Sequence, residues 1–462
     1  MEERKNIAMC ICGSTDGVHD EIIRGAFEYC QSRNIRLLLY NGMLSDEEYR
    51  PEMETSLIYG ESMPFQMVPF DEISGLIIGG STLKSNDAIN ALVFQTRKRD
   101  LPVVSIEDDS TTGCFHVNVN DEEGMESMVR HIVEEHGFTT VNFVAGIPGN
   151  RESDNRLNAY KRVLEENGIA IDERRIGYGM YGKETFQVME GFFDGTLEKP
   201  QAIICANDQM AIYAIQFLFE RGYRVPEDIV VTGYDGEGDA INFCPSITTV
   251  RRGMRELGEQ AARVITRVWK GRTVSLDSHV VPGIVYNQSC GCVPRADRQL
   301  IKMYDYQHEQ VQKMKYASYM ETSLLHFAGK MDTVESYIET MEYSVKDFNI
   351  AKMFFCMADE PFCHVPEAGQ KFVLYPKRMR IAGAYNVAGY SGKYINTGEI
   401  PEELLADDII CVSFLPIYYN ERTFGYLMMG HTDMDFDRSY FKRWMGVVSA
   451  QMAFILRIRQ SK

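Results

Sequence analysis

The sequence predicts an α/β protein of two doubly wound lobes, followed by a linker helix and a small α+β domain. Three observations predict this. Strand-like and helix-like segments alternate from residue 6 to about residue 290, and the alternation starts afresh midway. The strand-like runs, among them Leu76-Ile77-Ile78 and Ile229-Val230-Val231, are continuously apolar, as parallel strands buried on both faces require. From 295 to 344 the pattern turns helical, with no Gly or Pro except Gly329.

In order, 6–12 reads as a strand and 20–32 as a helix, with Ile22, Ile23, Ala26, Phe27 and Cys30 at helical spacing. Strands follow at 35–40, 75–79 and 102–106, with a helix over 87–98. The segment 44–71, rich in Met, Pro and Tyr, reads as an irregular insertion. The second round has helices over 121–136, 153–167 and 208–222, the second closed by Gly168. Its strands are 141–145, 202–205 and 229–233. In the linker, Leu300, Tyr304, Val311, Met314, Leu325 and Ala328 fall on a and d heptad positions, interrupted by Gln307, Ser318 and Glu321. That pattern fits either a coiled-coil seam or a surface helix packed on its own domain. The last part has strand-like runs at 351–358 and 372–375, a hairpin over 409–417 and 423–430, and a closing helix over 436–458. The domains are therefore expected at 1–294, 295–344 and 345–462.

Bulk composition narrows the function. The chain has 66 acidic and 48 basic residues, net −18, and its longest basic clusters are Arg97-Lys98-Arg99 and Arg251-Arg252. Such a chain is repelled by phosphate backbones unless a basic patch is segregated. No apolar run reaches the ~18 residues of a membrane span, and Met-Glu-Glu-Arg-Lys does not open a secretory leader, so a cytoplasmic location is expected. Eleven cysteines, an odd number, read as free thiols. Two C-x-C pairs, Cys10/Cys12 and Cys290/Cys292, would each supply half of a metal site, but no second pair or histidine lies nearby in sequence. They are read as buried thiols, with no metal and no cofactor. Walker A, H-E-x-x-H and G-x-S-x-G are absent, and His19, His116, His131 and His136 are scattered, so no enzyme is expected.

An ordered series of segments then narrows the fold further. It runs Ile7 to Phe27, Val117-Asn118-Val119-Asn120-Asp121-Glu122-Glu123-Gly124, Val144-Ala145-Gly146 and Arg156-Leu157-Asn158-Ala159-Tyr160. It continues with Cys205-Ala206-Asn207-Asp208-Gln209-Met210-Ala211, Val225-Pro226-Glu227-Asp228-Ile229, Val231-Thr232-Gly233-Tyr234-Asp235 and Pro245-Ser246-Ile247-Thr248-Thr249-Val250. In this series the first ~290 residues resemble the ligand-binding core of the lactose-repressor (LacI/GalR) family, which has the type I periplasmic-binding-protein fold. The resemblance implies a two-lobed clamp for a sugar-like polar metabolite, and side-by-side homodimers.

The ligand-binding residues that the resemblance implies are Ser14, Thr15, Glu152, Arg156, Tyr181, Asn207, Asp235 and Arg252. Arg156 matches the family arginine that forks onto ligand hydroxyls, and a guanidinium offers donors in fixed geometry. Asp235 matches the acceptor carboxylate, and Tyr181 an aromatic floor. Asn207 supplies donor and acceptor, or fixes the turn. Asp208 is expected to be the N-cap of the next helix. Two departures blur the ligand's identity: Gly236 stands where the family has a second aspartate, and Glu152 where smaller polar residues are common.

The ending Gln288-Ser289-Cys290-Gly291-Cys292 resembles a tail seen where such cores are fused to signalling modules. The final segment, with Phe414-Leu415-Pro416-Ile417 and Gly425-Tyr426-Leu427-Met428-Met429-Gly430, resembles a GAF domain. No Gly-Gly-Asp-Glu-Phe-like motif occurs, so the output is expected in a separate protein or a further domain. The family's DNA-binding members carry an N-terminal helix-turn-helix, and here the first core strand begins at Asn6. The expectation is a sensor that couples lobe closure to a signalling output, without direct DNA binding. The alternative is a LacI-family transcriptional regulator acting on DNA directly or through a partner.

Overall fold

The computed structural model describes residues 4–13, 17–43, 55–294, 298–328, 331, 333–367, 370, 372–434 and 438–460. Its elements begin β1 (Asn6–Ile11), α1 (Gly17–Ser32), β2 (Arg36–Asn41), α2 (Thr55–Ser62), β3 (Leu76–Gly79), α3 (Asn86–Arg97), β4 (Val103–Ile106) and β5 (Phe115–Val119). There follow α4 (Asp121–Arg130), β6 (Val141–Ala145), α5 (Arg151–Glu166), β7 (Ile176–Tyr178), α6 (Thr185–Phe192), β8 (Ala202–Cys205), α7 (Asp208–Glu220) and β9 (Val230–Thr232). Next come α8 (Gly238–Ile241), β10 (Thr249–Arg251), α9 (Met254–Trp269), β11 (Asp277–Val280), β12 (Gly283–Val285), α10 (Gln299–Ala328) and α11 (Val334–Val345). The chain closes with β13 (Lys352–Cys363), β14 (Arg378–Tyr385), β15 (Tyr394–Asn396), β16 (Cys411–Tyr419), β17 (Arg422–His431) and α12 (Arg438–Gln460).

The chain divides into two compact units. One comprises Met1–Asn118, Met254–Ser278 and Lys313–Lys462, the other Val119–Gly253 and His279–Gln312. The first unit holds a sheet in the order β11-β5-β4-β3-β1-β2-β16-β17-β13-β14-β15. From β5 through β2 the strands pair in parallel, as their unbroken apolar runs predict. β2 then pairs in parallel with β16, Leu37 opposite Cys411 and Tyr40 opposite Phe414, and those two rings stack 4.5 Å apart. The C-terminal antiparallel strands thus extend the N-terminal sheet. Every residue of β2 is buried, and its hydrogen-bonding edge is covered rather than left as a template for stray pairing.

Some expectations are corrected here. Residues 372–375 do not form a strand, whereas β14 and β15, which the periodicity passes over, do. β14 pairs with β13, with a register shift between Phe355 and Cys356 that breaks simple alternation. Of the insertion, 44–54 lies outside the described residues. The remainder includes helix α2 and a tight turn at Met63–Met67, whose Met63, Phe65 and Met67 are buried in the core.

The second unit holds a parallel sheet in the order β7-β6-β8-β9 and an antiparallel pair, β10 and β12. The carboxyl ends of β6, β8 and β9 deliver Gly146, Ala206-Asn207 and Tyr234-Asp235, the edge at which doubly wound sheets present polar groups. The helix expected over 121–136 ends in a π turn at His131–Glu135, with the His136 amide donating to the His131 carbonyl at 3.2 Å.

Candidate functional site

On α5 the buried positions are Ser153, Arg156, Leu157, Ala159, Tyr160, Val163 and Leu164. Arg156 falls on this inward stripe, so helical periodicity carries its guanidinium inside, where charge survives only with partners. The partners are present. Nη1 donates to the Ala206 carbonyl at 2.6 Å, and Nη2 to the Asp121 carboxylate at 3.0 Å. Nη2 also lies 3.4 Å from Asp235 and 3.7 Å from Glu152. The Tyr234 ring packs 3.8 Å from the guanidinium carbon. Burial opposes the charge, but Asp235 and Asp121 outweigh it and hold the guanidinium protonated, well above its usual range.

A second cation completes the group. Arg252 donates from Nη2 to Glu152 at 3.1 Å and places Nε 3.6 Å from Asp121. Asp121 is desolvated, yet the pull of Arg156 and Arg252 wins and lowers its pKa. For Asp235 desolvation wins over both arginines, and its carboxyl is pushed up to about 6. Asp235 also holds φ at 109°, which a side chain rarely adopts. Its peptide is bonded across to β10, the amide donating to the Val250 carbonyl at 2.9 Å, so the surroundings enforce the strain.

The structure therefore brings Glu152, Arg156, Asp235 and Arg252 together. The guanidinium expected to fork onto a ligand is already surrounded by carboxylates, and the Arg156 side chain is only 2% exposed against 18% for Asp235 and 35% for Glu152. Asp235 and Glu152 are the more accessible members. Tyr181 lies over Gly146, so close that a Cβ there would come within 2.2 Å of its ring, and its hydroxyl donates to Asn150 at 3.4 Å. Ser14 and Thr15 lie outside the described residues.

The expected cap is corrected. Asn207, not Asp208, caps α7, its side chain accepting from the Met210 amide at 2.9 Å. Asp208 is fully buried and accepts from the Thr249 hydroxyl at 2.6 Å and the Glu237 amide at 2.7 Å. Burial, with Asp235 nearby, pushes its carboxyl pKa upward.

Sequence reasoning missed Asp121 and Tyr234 as members of the cluster. Both stood inside quoted motifs, and the buried arginine calling for partners was the available signal. It also left His131 and His136 scattered, whereas Cys292 Sγ lies 3.5 Å from His131 Nε2 and 3.4 Å from His136 Nε2. The thiols themselves divide: Cys290 is buried and Cys292 exposed, and none of the eleven cysteines is in a disulfide. In the first unit, an apolar cavity of about 400 Å³ is lined by Met63, Phe65, Phe70, Leu92, His364 and Leu374, a volume within the range of small-molecule pockets.

Residues 129–290 match the family model described as a periplasmic binding protein-like domain. Among curated proteins, the chain is 30% identical over 199 residues to "Probable HTH-type transcriptional repressor ExuR" of Bacillus subtilis, spanning 42% of this chain and 59% of that protein's length. It is 27% identical over 263 residues to "HTH-type transcriptional repressor PurR" of Vibrio atlanticus, spanning 56% of this chain and 73% of that protein. Among solved structures, the Escherichia coli transcriptional repressor ascG matches with TM-score 0.48 at 21% identity, covering 62% of this chain and 98% of that one. The chain thus carries a periplasmic-binding-protein-like core, and the relatives it resembles are named as repressors of transcription rather than as enzymes.

Proposed function

We propose that this chain is the ligand-sensing part of a transcriptional regulator of the LacI/GalR type, responding to a small polar, sugar-like metabolite. The observation that carries the reading is the Asp235 carboxylate, half-buried, strained in φ and backed by Arg156 and Arg252. Strained acidic groups with perturbed pKa values at the carboxyl edge of a parallel sheet are functional-site candidates. Asp235 and Glu152 accept from ligand hydroxyls, Arg252 limits the net negative charge, and Arg156 positions both carboxylates.

The acidic balance argued against DNA as a partner. The relatives' names, HTH-type transcriptional repressors, argue for it, so the reading includes action on DNA directly or through a partner protein. A second reading, hand-over of the signal through residues 345–462 as a GAF-like module, is favoured by the β2–β16 pairing, which bonds that segment to the first unit's sheet.

The test is a thermal-shift screen of sugars, polyols and nucleosides, followed by retardation of genomic duplex fragments with and without the hit. Bound ligand raises stability by RT ln(1 + [L]/Kd). A hit that stabilises wild type and Asp235→Asn equally sinks the site. A hit that leaves every fragment's mobility unchanged supports action through a partner.

A further inference from the structure

Apart from the charged cluster, the second unit gathers His131, His136, Cys290 and Cys292, whose ligand atoms all lie within 4.8 Å of one another. We propose that these four side chains bind one zinc ion as a closed structural site, which fastens the end of the ligand-binding core to the π turn after α4.

The spacing argues for a tetrahedron. Zinc takes nitrogen at about 2.0–2.1 Å and thiolate sulfur at about 2.3 Å, so tetrahedral edges are about 3.3 Å between nitrogens and about 3.5 Å between nitrogen and sulfur. Here the two Nε2 atoms are 3.2 Å apart, and Cys292 Sγ stands 3.5 and 3.4 Å from them. Two imidazole nitrogens repel unless a proton or a cation lies between them, and a metal at the centre of these four atoms satisfies all of them.

The surroundings are those of a metal site. His131 Nδ1 lies 2.7 Å from the Glu135 carboxylate, an arrangement that puts a proton on Nδ1 and leaves Nε2 as a lone-pair donor. The Thr248 hydroxyl donates to Cys290 Sγ at 3.0 Å, supporting negative charge on that sulfur. The backbone is shaped for the purpose as well. The π turn at His131–Glu135 brings together two histidines five residues apart, which an α-helix would splay. Gly291, at φ +87°, lets the chain double back between two cysteines only two apart.

Two sulfurs and two imidazoles in tetrahedral array select zinc over magnesium or calcium. With every position taken by protein, none is left for water or substrate, so the site is structural and not catalytic. On binding, each thiol loses its proton to solvent, two Zn–S and two Zn–N bonds form, and the filled site is neutral. The site joins residues 131–136 to 290–292, just before α10 begins at Gln299. Metal there ties the exit of the core to its body.

The experiment uses the full-length chain without a histidine tag, purified in the absence of chelator and analysed for metal by mass spectrometry. About one zinc per chain is expected, and titration of stripped protein against a chromogenic chelator should recover one tight site. Cys292→Ser and His136→Gln, both at accessible positions, should each lose most of the zinc while keeping wild-type circular dichroism. Glu135→Gln should weaken zinc about 10- to 100-fold. Cobalt exchange should yield visible bands of four-coordinate cobalt and thiolate charge transfer that Cys292→Ser diminishes. A stripped wild-type chain that takes up no zinc in competition overturns the proposal, as does zinc retained in both variants or a Cys290–Cys292 disulfide in the purified chain.

Discussion

Arg156 and Tyr234 form a buried cation–π pair, the guanidinium carbon 3.8 Å from the ring centroid and both residues at most 1% exposed. The ring also reaches Asp121, its hydroxyl donating to the Asp121 carbonyl at 3.3 Å. One arginine is thus held by a ring on one side and by carboxylates around its Nη2. Its first role is to keep Asp121 and Asp235 charged side by side.

Arg156→Ala should therefore do more than remove a ligand contact. It leaves two desolvated carboxylates facing each other, and loss of one partner of a buried ion pair costs about 3–5 kcal/mol. Urea unfolding followed by tryptophan fluorescence should show a midpoint well below wild type. A midpoint indistinguishable from wild type would contradict the organising role.

Asp235→Asn keeps the shape and removes the charge. Ligand affinity should fall by about 1.5–3 kcal/mol, ten- to more than a hundredfold, while the chain stays folded. Titration calorimetry with the hit of the thermal-shift screen checks this, and wild-type affinity in the variant would remove Asp235 from the site.

Acidification should separate affinity from stability. Desolvation raises the Asp235 carboxyl from 3.8 to about 6 in the folded chain. A folded pKa above the unfolded one adds stability that is full below 3.8 and is lost as pH rises through 6. A ligand that needs the ionised carboxylate does the reverse, its affinity falling up to about tenfold per pH unit below 6. Calorimetry between pH 5 and pH 8 should show that fall in wild type and a flat profile in Asp235→Asn. Parallel profiles would assign the dependence elsewhere.

Gly233→Ala should unfold the chain at lower urea. A Cβ there would sit 2.1 Å from Asp208 Oδ1, and Asp208 is fully buried with both its bonds at 2.7 Å or less. Overpacking of this kind costs about 1–3 kcal/mol. An unchanged midpoint would show that Asp208 moves freely.

The chain should associate through α10. Leu300, Tyr304, Val311, Met314 and Leu325 are each between 45% and 66% exposed, an apolar row that water disfavours. Light scattering should report roughly twice 52.8 kDa, and Val311→Asp with Met314→Lys should shift the mass toward one chain. A monomer at tens of micromolar in wild type would dispose of the idea.

Much of the fold was legible because its signals are local. Apolar runs at Leu76-Ile77-Ile78 and Ile229-Val230-Val231 became β3 and β9, with boundaries within a residue or two. Arg156 and Asp235 were each named through the family resemblance as ligand contacts, and only the structure placed Arg156 Nη2 3.4 Å from Asp235. Asp208 was misread because a helix cap and a buried acceptor look alike one residue apart. The strand at 372–375 failed because its apolar run is not a buried one: Leu374 is 70% exposed and only Tyr375 is buried, so nothing there demands a sheet partner.

Sequence alone determined the alternation of strands and helices and the parallel character of their sheets, since periodicity and residue type act within a few positions. Only the tertiary structure decided that β16 bonds to β2, nearly four hundred residues away, because the choice among sheet edges depends on which strands are free. It alone set His131 and His136 beside Cys290 and Cys292. Those four come from segments more than 150 residues apart, and no spacing rule reaches across a folded core to join them.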